Sequence, residues 1–320
     1  MERAEAARDL LGEWLSQEPG DIGFLRKAAF MDALAGRWDQ VVELCDRIVG
    51  LEEGAARVQA ALLVAAACAQ AGYPAEARPV LETVFRDNPA EPILRDHLRR
   101  IYEETGAHRE LAELTLAEAE HAGDQAERFA ALRRAASLFM ESVGDMESAV
   151  GPLQAAHELR PRDGDVAVML ADALIGSNRL QEAANFLDTA LTAQKGRRSR
   201  EVSMMQQRMA AIAGAVGDRA NEAGWLNAAL DSDSQNSEAA ARLADVATEM
   251  GQWDVAIKAL KAIAMMKSPK PITRAMAYVR QALIAQHQGD LRKAVLLARK
   301  AQSEDPNLED ANTLLLELNG

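Results

Sequence analysis

The sequence predicts an all-α solenoid of antiparallel helix pairs, on three observations. Gly72, Gly144, Gly217 and Gly289 recur every 72 to 73 residues, and Gly106, Asn178 and Gly251 each follow one of the first three by 34 residues, with Gly36 opening the series. Apolar residues at helical spacing flank each of these positions. The composition, 4% aromatic with ten prolines and with alanine and leucine abundant, favours helix throughout. A period of 34 with glycine at a fixed phase marks stacked helix-turn-helix units, none of which buries its apolar face alone. Strands are expected nowhere.

Taken in order, residues 1–21 form half a repeat, the lone helix Ala4–Gln17 closed by Glu18-Pro19-Gly20. Residues 22–308 hold eight hairpins, each with an A helix before its turn residue and a B helix after it. Phe24–Ala35 and Trp38–Val49 flank Gly36; Ser237–Met250 and Trp253–Met266 flank Gly251. A terminal A-like helix occupies 309–320. The turn-to-turn interval lengthens to 38 or 39 residues after Gly106, Asn178 and Gly251, so every second junction gains about one helical turn. These longer junctions follow Leu111–His121, Glu182–Ala193 and Trp253–Met266, and they are polar or turn-forming, as in Gln194–Arg200 and Lys267–Pro271. The repeating unit is therefore a pair of hairpins. No shift of composition marks a boundary, so 1–320 reads as a single solenoid.

The charge balance and the scarcity of reactive groups exclude several classes. A formal net charge of −13 argues against nucleic-acid binding, which requires many phosphates to be neutralised by Lys and Arg. Cys45 and Cys68 sit among apolar helical neighbours and read as buried, reduced thiols. No unbroken apolar run reaches the ~18 residues of a membrane span, and Met1–Glu5 does not begin a signal peptide. Membrane insertion is accordingly not expected, and a cytoplasmic location is. His97, His108, His121, His157 and His287 include no i,i+4 pair and no metal box. Neither a phosphate loop nor a nucleophile elbow is present. The expectation is no catalytic residue, no cofactor and no metal, hence no enzyme.

Small residues occupy one recurrent place in the A helices, where close helix crossing needs them: Ala29, Ala65, Ser137, Ala171, Ala210, Ala244 and Ala282, with Arg99 in the third hairpin. Five residues into helix B stand Ala77, Ala149, Ala183, Ala256 and Ala294, with Val41, Leu111 and Glu222 as departures. Pro19, Pro89, Pro161 and Pro306 close B helices, and Tyr102 and Phe139 lie at or beside aromatic positions. On these residues the chain resembles tetratricopeptide-repeat proteins over essentially its whole length. That resemblance implies a right-handed superhelix whose A helices line a concave face. It also implies a scaffold that binds a peptide segment or another subunit there, without chemistry of its own. The family's preferred tryptophan is mostly replaced, and its lysine and asparagine carboxylate clamp is not reproduced.

At one inward place the last three hairpins carry Arg208, Arg242 and Arg280, and Arg134 lies one residue from that place in the fourth. A row of guanidiniums could seat the carboxylates of an acidic segment, or each could pair locally, Asp245 being a ready partner for Arg242. Trp38 and Trp253 occupy equivalent places at the start of helix B, while Trp14 and Trp225 lie within one; packing is the expected role, anchoring of a partner the other. The basic loop Lys195–Arg200 and the run Asp231–Ser234 read as solvated turns. Leu10, Leu11, Trp14 and Leu15 at one end, and Leu314, Leu315, Leu316 and Leu318 at the other, lack a covering helix in the repeat pattern. Self-association through the ends is therefore expected, and the alternative function is a structural or self-assembling segment of a larger protein, or the regulatory region of a catalytic domain.

Overall fold

The computed structural model describes the backbone of residues 2–319 and the side chains of residues 8–318. Met1 and the side chains through Ala7, part of the leading segment, lie outside the described residues, as does Gly320. Among the described residues there are eighteen α-helices and no strand. They fall into two compact units, 1–144 and 145–320, divided at the Gly144 turn.

The first unit contains α1 (Glu2–Gln17), α2 (Ile22–Leu34), α3 (Trp38–Leu51), α4 (Gly54–Ala71), α5 (Arg78–Asp87), α6 (Pro92–Thr105), α7 (His108–Glu120) and α8 (Gln125–Ser137). Each helix packs on the next, and α4 also touches α6, so A helices stack beside A helices. A 3-10 turn, Pro74–Ala77, precedes α5, because Pro79 has no N–H to donate to Ala75 O and the N–H of Arg78 takes that carbonyl instead. Its core is a continuous cluster from Leu15 to Leu114 that holds the free cysteines Cys45 and Cys68. Burial, followed by the neighbouring Cys68, pushes the Cys45 thiol up to about 11. Helix α4 has the length and composition of a membrane span, with a mean hydropathy of 1.3 over eighteen residues. Its apolar run is broken by Arg57, Gln59 and Gln70, and Val58, Ala61, Val64 and Cys68 are buried in the cluster.

The second unit contains α9 (Met146–Leu159), α10 (Gly164–Gly176), α11 (Leu180–Ala193), α12 (Arg200–Ala215), α13 (Arg219–Ser232), α14 (Ser237–Glu249), α15 (Trp253–Met265), α16 (Arg274–His287), α17 (Leu291–Glu304) and α18 (Glu309–Asn319). Here too successive helices pack pairwise, and α10 lies on α12 and α16 on α18.

All eight turn residues have positive φ, from 59° at Asn178 to 91° at Gly72. Asn178 is the one non-glycine among the described residues in that region, a conformation asparagine tolerates better than other side chains. The backbone then closes the hairpin by a six-to-one hydrogen bond, as where Tyr73 N–H donates to Cys68 O and Arg179 N–H to Leu174 O. Three turns read Gly-Asp. In these the glycine ends helix A, and Asp145, Asp218 or Asp290 caps helix B by accepting from the N–H three residues on.

Two details correct the repeat register. Helix α8 runs into a π-turn, Leu138–Val143, which inserts one residue before Gly144. The residue buried at the tight crossing is therefore Ala136, whereas Ser137 is partly exposed. Every other small crossing residue named from the sequence is buried as expected. Arg99, the exception in kind, holds Glu118 of α7 in an ion pair and so keeps its charge out of the crossing.

Candidate functional site

Clefts between successive A helices occur in both units, with their lining at fixed distances from the turn residue. In the first unit a groove of about 700 Å³ lies between α2 and α4 over α3. In the second, a cleft of about 510 Å³ lies between α14 and α16 over α15. The same two phases line both: the residue nine before the turn (Leu63; Arg242, Arg280) and the residue six before it (Phe30, Ala66; Asp245, Leu283). Trp38 and Trp253, each two residues past a turn glycine, form equivalent parts of the walls. Both are partly buried and pack against the core clusters of their units, as expected; the ring of Trp253 sits 4.7 Å from that of His287. Trp14, for which packing was expected, is half exposed and stacks on Phe24 at 5.5 Å. Trp225 is partly buried within the second unit's core.

At the shared phases the two clefts differ in chemistry, apolar in the first and charged at Arg242, Asp245 and Arg280 in the second. The α2–α4 groove is mostly apolar, with Phe30 64% and Leu63 55% exposed at its rim. The α14–α16 cleft holds an ion pair, Arg280 on α16 with Asp245 on α14, and further along the unit Arg208 on α12 holds Asp172 on α10 through two hydrogen bonds of 2.8 Å. Asp245 therefore partners Arg280 of the next A helix, and not Arg242 as its position three residues away implies. Side chains three apart on one helix meet less directly here than residues facing across the stack. Arg242 instead bonds Glu222 at 2.7 Å.

A simple rule orders these pairs. An arginine nine before its turn reaches the residue six before the turn on the preceding A helix. Asp172 and Asp245 satisfy Arg208 and Arg280 in this way; for Arg242 that residue is Ala211, so the guanidinium turns to helix B. Glu222, the departure at an alanine position, is 2% exposed and is also bonded by Arg219 at 2.6 Å. Burial alone would raise this carboxyl, but the hydrogen bonds from Arg242 and Arg219 outweigh it and hold Glu222 below the usual carboxylate range. Gly214, in the facing helix, makes the room: a Cβ there would lie 2.9 Å from Glu222 Cδ. Sequence reading recorded Glu222 only as an exception, although Gly214 eight residues earlier was the accompanying signal.

Arg134 belongs to the first unit and is ten residues before Gly144; the π-turn brings it into the nine-before phase. The residue that the rule assigns to it on α6 is Arg100, a cation, and Arg134 is exposed with no ion pair among the described residues. Of the four sequence-predicted site residues, the three in the second unit thus each hold a separate local carboxylate, Asp172, Glu222 or Asp245, and Arg134 stands in the other unit.

Stacked helix hairpins with lined inter-helix clefts define a helical-repeat protein. Residues 142–208 match the family model described as tetratricopeptide repeat, and this stretch contains the Gly144 and Asn178 turns whose geometry recurs along the described chain. The likeness to tetratricopeptide repeats is thus shown for this segment, about a fifth of the chain, and the rest of the described chain repeats its helix-turn-helix geometry. Among solved structures the chain is similar to YrrB, described as a TPR protein with an unusual peptide-binding site, at 17% identity over 57% of this chain and 89% of that one, with a TM-score of 0.41. It is similar also to a tetratricopeptide repeat protein from Parabacteroides merdae, at 19% identity over 82% and 98% of the two chains, TM-score 0.41. A third likeness is to Pseudomonas aeruginosa pilF, at 16% identity over 70% and 97%, TM-score 0.45. No curated protein matches the sequence.

Proposed function

We propose that this chain is an interaction scaffold that binds a segment of another protein across the exposed faces of its A helices and performs no chemistry of its own. The observation that supports this reading is the apolar α2–α4 groove. Phe30 and Leu63 stand in solvent at its rim, while Val41, Cys45 and Ile48 on its floor are buried. Exposed apolar surface gathered in a concavity is a feature of recognition sites, since burying it against a partner recovers about 25 cal/mol per Å².

Arg134, Arg208, Arg242 and Arg280 contribute by receiving carboxylates of an acidic partner segment, which at Arg208 and Arg280 exchange for Asp172 and Asp245. Photo-crosslinkers placed on A-helix and B-helix surfaces of the full chain, with mapping of the captured partner peptide, test the reading. Crosslinks confined to A helices are expected, and crosslinks confined to B helices refute it. For the arginines, Asp172→Asn with Asp245→Asn should strengthen capture, and charge reversal at Arg208 and Arg242 should weaken it and lower its salt sensitivity. Capture indifferent to both changes rejects their role.

A second reading, self-association through the ends, is favoured by one observation: Leu316 on α18 is 77% exposed. Leu314 is not part of such a surface, because it is 3% exposed and packs into the α16–α18 core cluster.

A further inference from the structure

Lysine is unevenly placed along this chain. Six of its eight lysines fall between residues 258 and 300, and residues 255–303 hold ten Lys and Arg against one acid, Asp290, on a chain whose net charge is −13. The two of these cations that lie on the A helix α16, Arg274 and Arg280, are neutralised by Glu304 and Asp245. Those of the B helices are not. Lys258 and Lys261 on α15, and Arg292, Lys293, Arg299 and Lys300 on α17, are exposed and make no ion pair among the described residues. Lys267 and Lys270, in the junction after α15, are exposed and unpaired in the same way. The repeat puts these side chains on one side of the unit. Places three, seven, ten and fourteen after the turn residue form the outward stripe of each B helix: Asp254, Lys258, Lys261 and Met265 on α15, and Arg292, Leu296, Arg299 and Ser303 on α17. Successive stripes are neighbours, as Lys258 Nζ donates to Asn227 Oδ1 of the α13 stripe at 3.2 Å. On the earlier B helices of the unit the same places hold acids, Glu147 and Glu158 on α9, Asp188 on α11 and Asp231 on α13, and no large apolar side chain. The basic end differs in that respect too, with Met265 86% and Leu296 56% exposed. Among the acids nearby, Asp290 caps α17, while Asp310 and Glu317 of α18 line the A-helix cleft with Arg280, away from this face.

We propose that the outward face of α15 and α17 binds the surface of an anionic lipid bilayer, its lysines and arginines lying among the headgroup phosphates and Met265 and Leu296 entering the layer between them. The contact is peripheral and uses B helices, so it goes beyond the A-helix reading and does not depend on it. Two features favour a bilayer over a protein or nucleic-acid partner. Where this chain holds a carboxylate it uses arginine, whose planar fork fixes a two-point geometry, as at Arg208 with Asp172; lysine is a hydrated point charge on a flexible stem and supplies field without fixing geometry. A fluid layer of anionic headgroups asks only for field, and each Lys or Arg close to it raises affinity about five-fold. The second feature is the apolar pair. Met265 and Leu296 alternate with the cations, and a bilayer gives them an apolar boundary to enter, which a phosphate backbone in water does not. The acids of the α9 and α11 stripes stand four and three hairpins from α17, at about 10 Å a step well beyond the ~10 Å screening length at 0.1 M salt, so they leave the local field intact.

The full chain is sedimented with extruded vesicles of phosphatidylcholine alone, and of phosphatidylcholine with about a third phosphatidylglycerol, at about 0.05 M and about 0.5 M salt. At low salt the anionic vesicles should bind at least about thirty-fold more tightly than the neutral ones, and the difference should vanish at high salt. Lys258→Gln with Lys261→Gln should weaken anionic binding by about thirty-fold, and Met265→Ser by a few-fold. Glu147→Gln with Glu158→Gln, the matching change at the acidic end, should not weaken it. All of these side chains are exposed, and circular dichroism checks that each variant keeps its helices. Equal sedimentation with neutral and anionic vesicles overturns the proposal, as does anionic binding unmoved by the lysine pair or by Met265→Ser. Short duplex DNA and polyglutamate are titrated in parallel by fluorescence anisotropy. Capture of either through Lys258 and Lys261, without vesicle binding, assigns the face to a nucleic acid or an acidic protein and overturns the proposal as well. The vesicle results decide this inference alone; the crosslinks along the A helices decide the interaction reading separately.

Discussion

Replacing Gly214 by alanine tests the account of the buried Glu222 most directly. An added Cβ would lie 2.9 Å from Glu222 Cδ and Oε1, closer than such atoms approach, so the carboxylate must leave its place. It is held there at 2.6 Å by Arg219 and 2.7 Å by Arg242. Overpacking of this kind, with charge-assisted bonds disturbed, costs on the order of 1–3 kcal/mol. Alanine in place of glycine within a helix returns at most about 1 kcal/mol, and less here because Gly214 is next to the end of α12. The expected net is a destabilisation of roughly 1–2 kcal/mol. Glu222→Ala, which restores the small residue seen at the other repeats, removes the obstruction. The two arginines it releases are 42% and 44% exposed in their side chains and regain water, so its own cost is about 1 kcal/mol and not the larger penalty of a stranded buried charge. In that background Gly214→Ala should become neutral or stabilising. Urea unfolding of all four members of the cycle, with hydrogen exchange at α12 and α13 amides to localise the change, measures a coupling of at least about 1 kcal/mol. The same cost for Gly214→Ala in both backgrounds would falsify the steric argument.

Two other outcomes follow from particular side chains. Leu314→Ser should cost about 3 kcal/mol, since Leu314 is buried between α16 and α18, whereas Leu316→Ser should leave stability within about 0.5 kcal/mol and weaken any self-association seen by sedimentation. Equal thermal shifts for the two variants refute the assignment of faces. His157 lies edge-on to Phe186 at 5.0 Å with its Nδ1 buried and unbonded, and burial, partly opposed by Asp163 and Glu158, holds its imidazole below the ordinary value of 6.5. The unfolded chain takes up this proton first, so the contribution is full above pH 6.5 and lost as pH falls below it, until the folded imidazole also protonates. His157→Phe should remove that part of the acid destabilisation in a pH series of urea midpoints; an unchanged slope between His157 and the variant counts against it.

Much of the fold was legible because it depends on backbone constraints that glycine and asparagine disclose locally. The eight turn residues all adopt the left-handed conformation, and alanine at the crossings is buried where the period places it. What escaped was anything that moves the register or needs a partner in space. The π-turn at Leu138–Val143 has no compositional mark, so Ser137 stood in for Ala136 and Arg134 fell one residue out of its column. The division at Gly144 also left no trace in composition. The place of Trp38 and Trp253 in the cleft walls was obscured because amphipathic spacing locates an apolar face without telling whether a cleft opens in it.

The arginine row shows how far the sequence could have been carried once the stacking geometry is known. Its members share a phase, but their state is decided by a residue about 35 positions away on the preceding A helix. Aspartate there neutralises Arg208 and Arg280, alanine sends Arg242 to a glutamate that only a glycine neighbour can accommodate, and arginine there leaves Arg134 unpaired. A pattern within one repeat says where a side chain points; the pairing of two phases across neighbouring repeats says whether it is already satisfied. Recognition capacity in such a stack therefore concentrates where the cross-repeat pairing fails, which in this chain is between α6 and α8, where Arg134 faces Arg100.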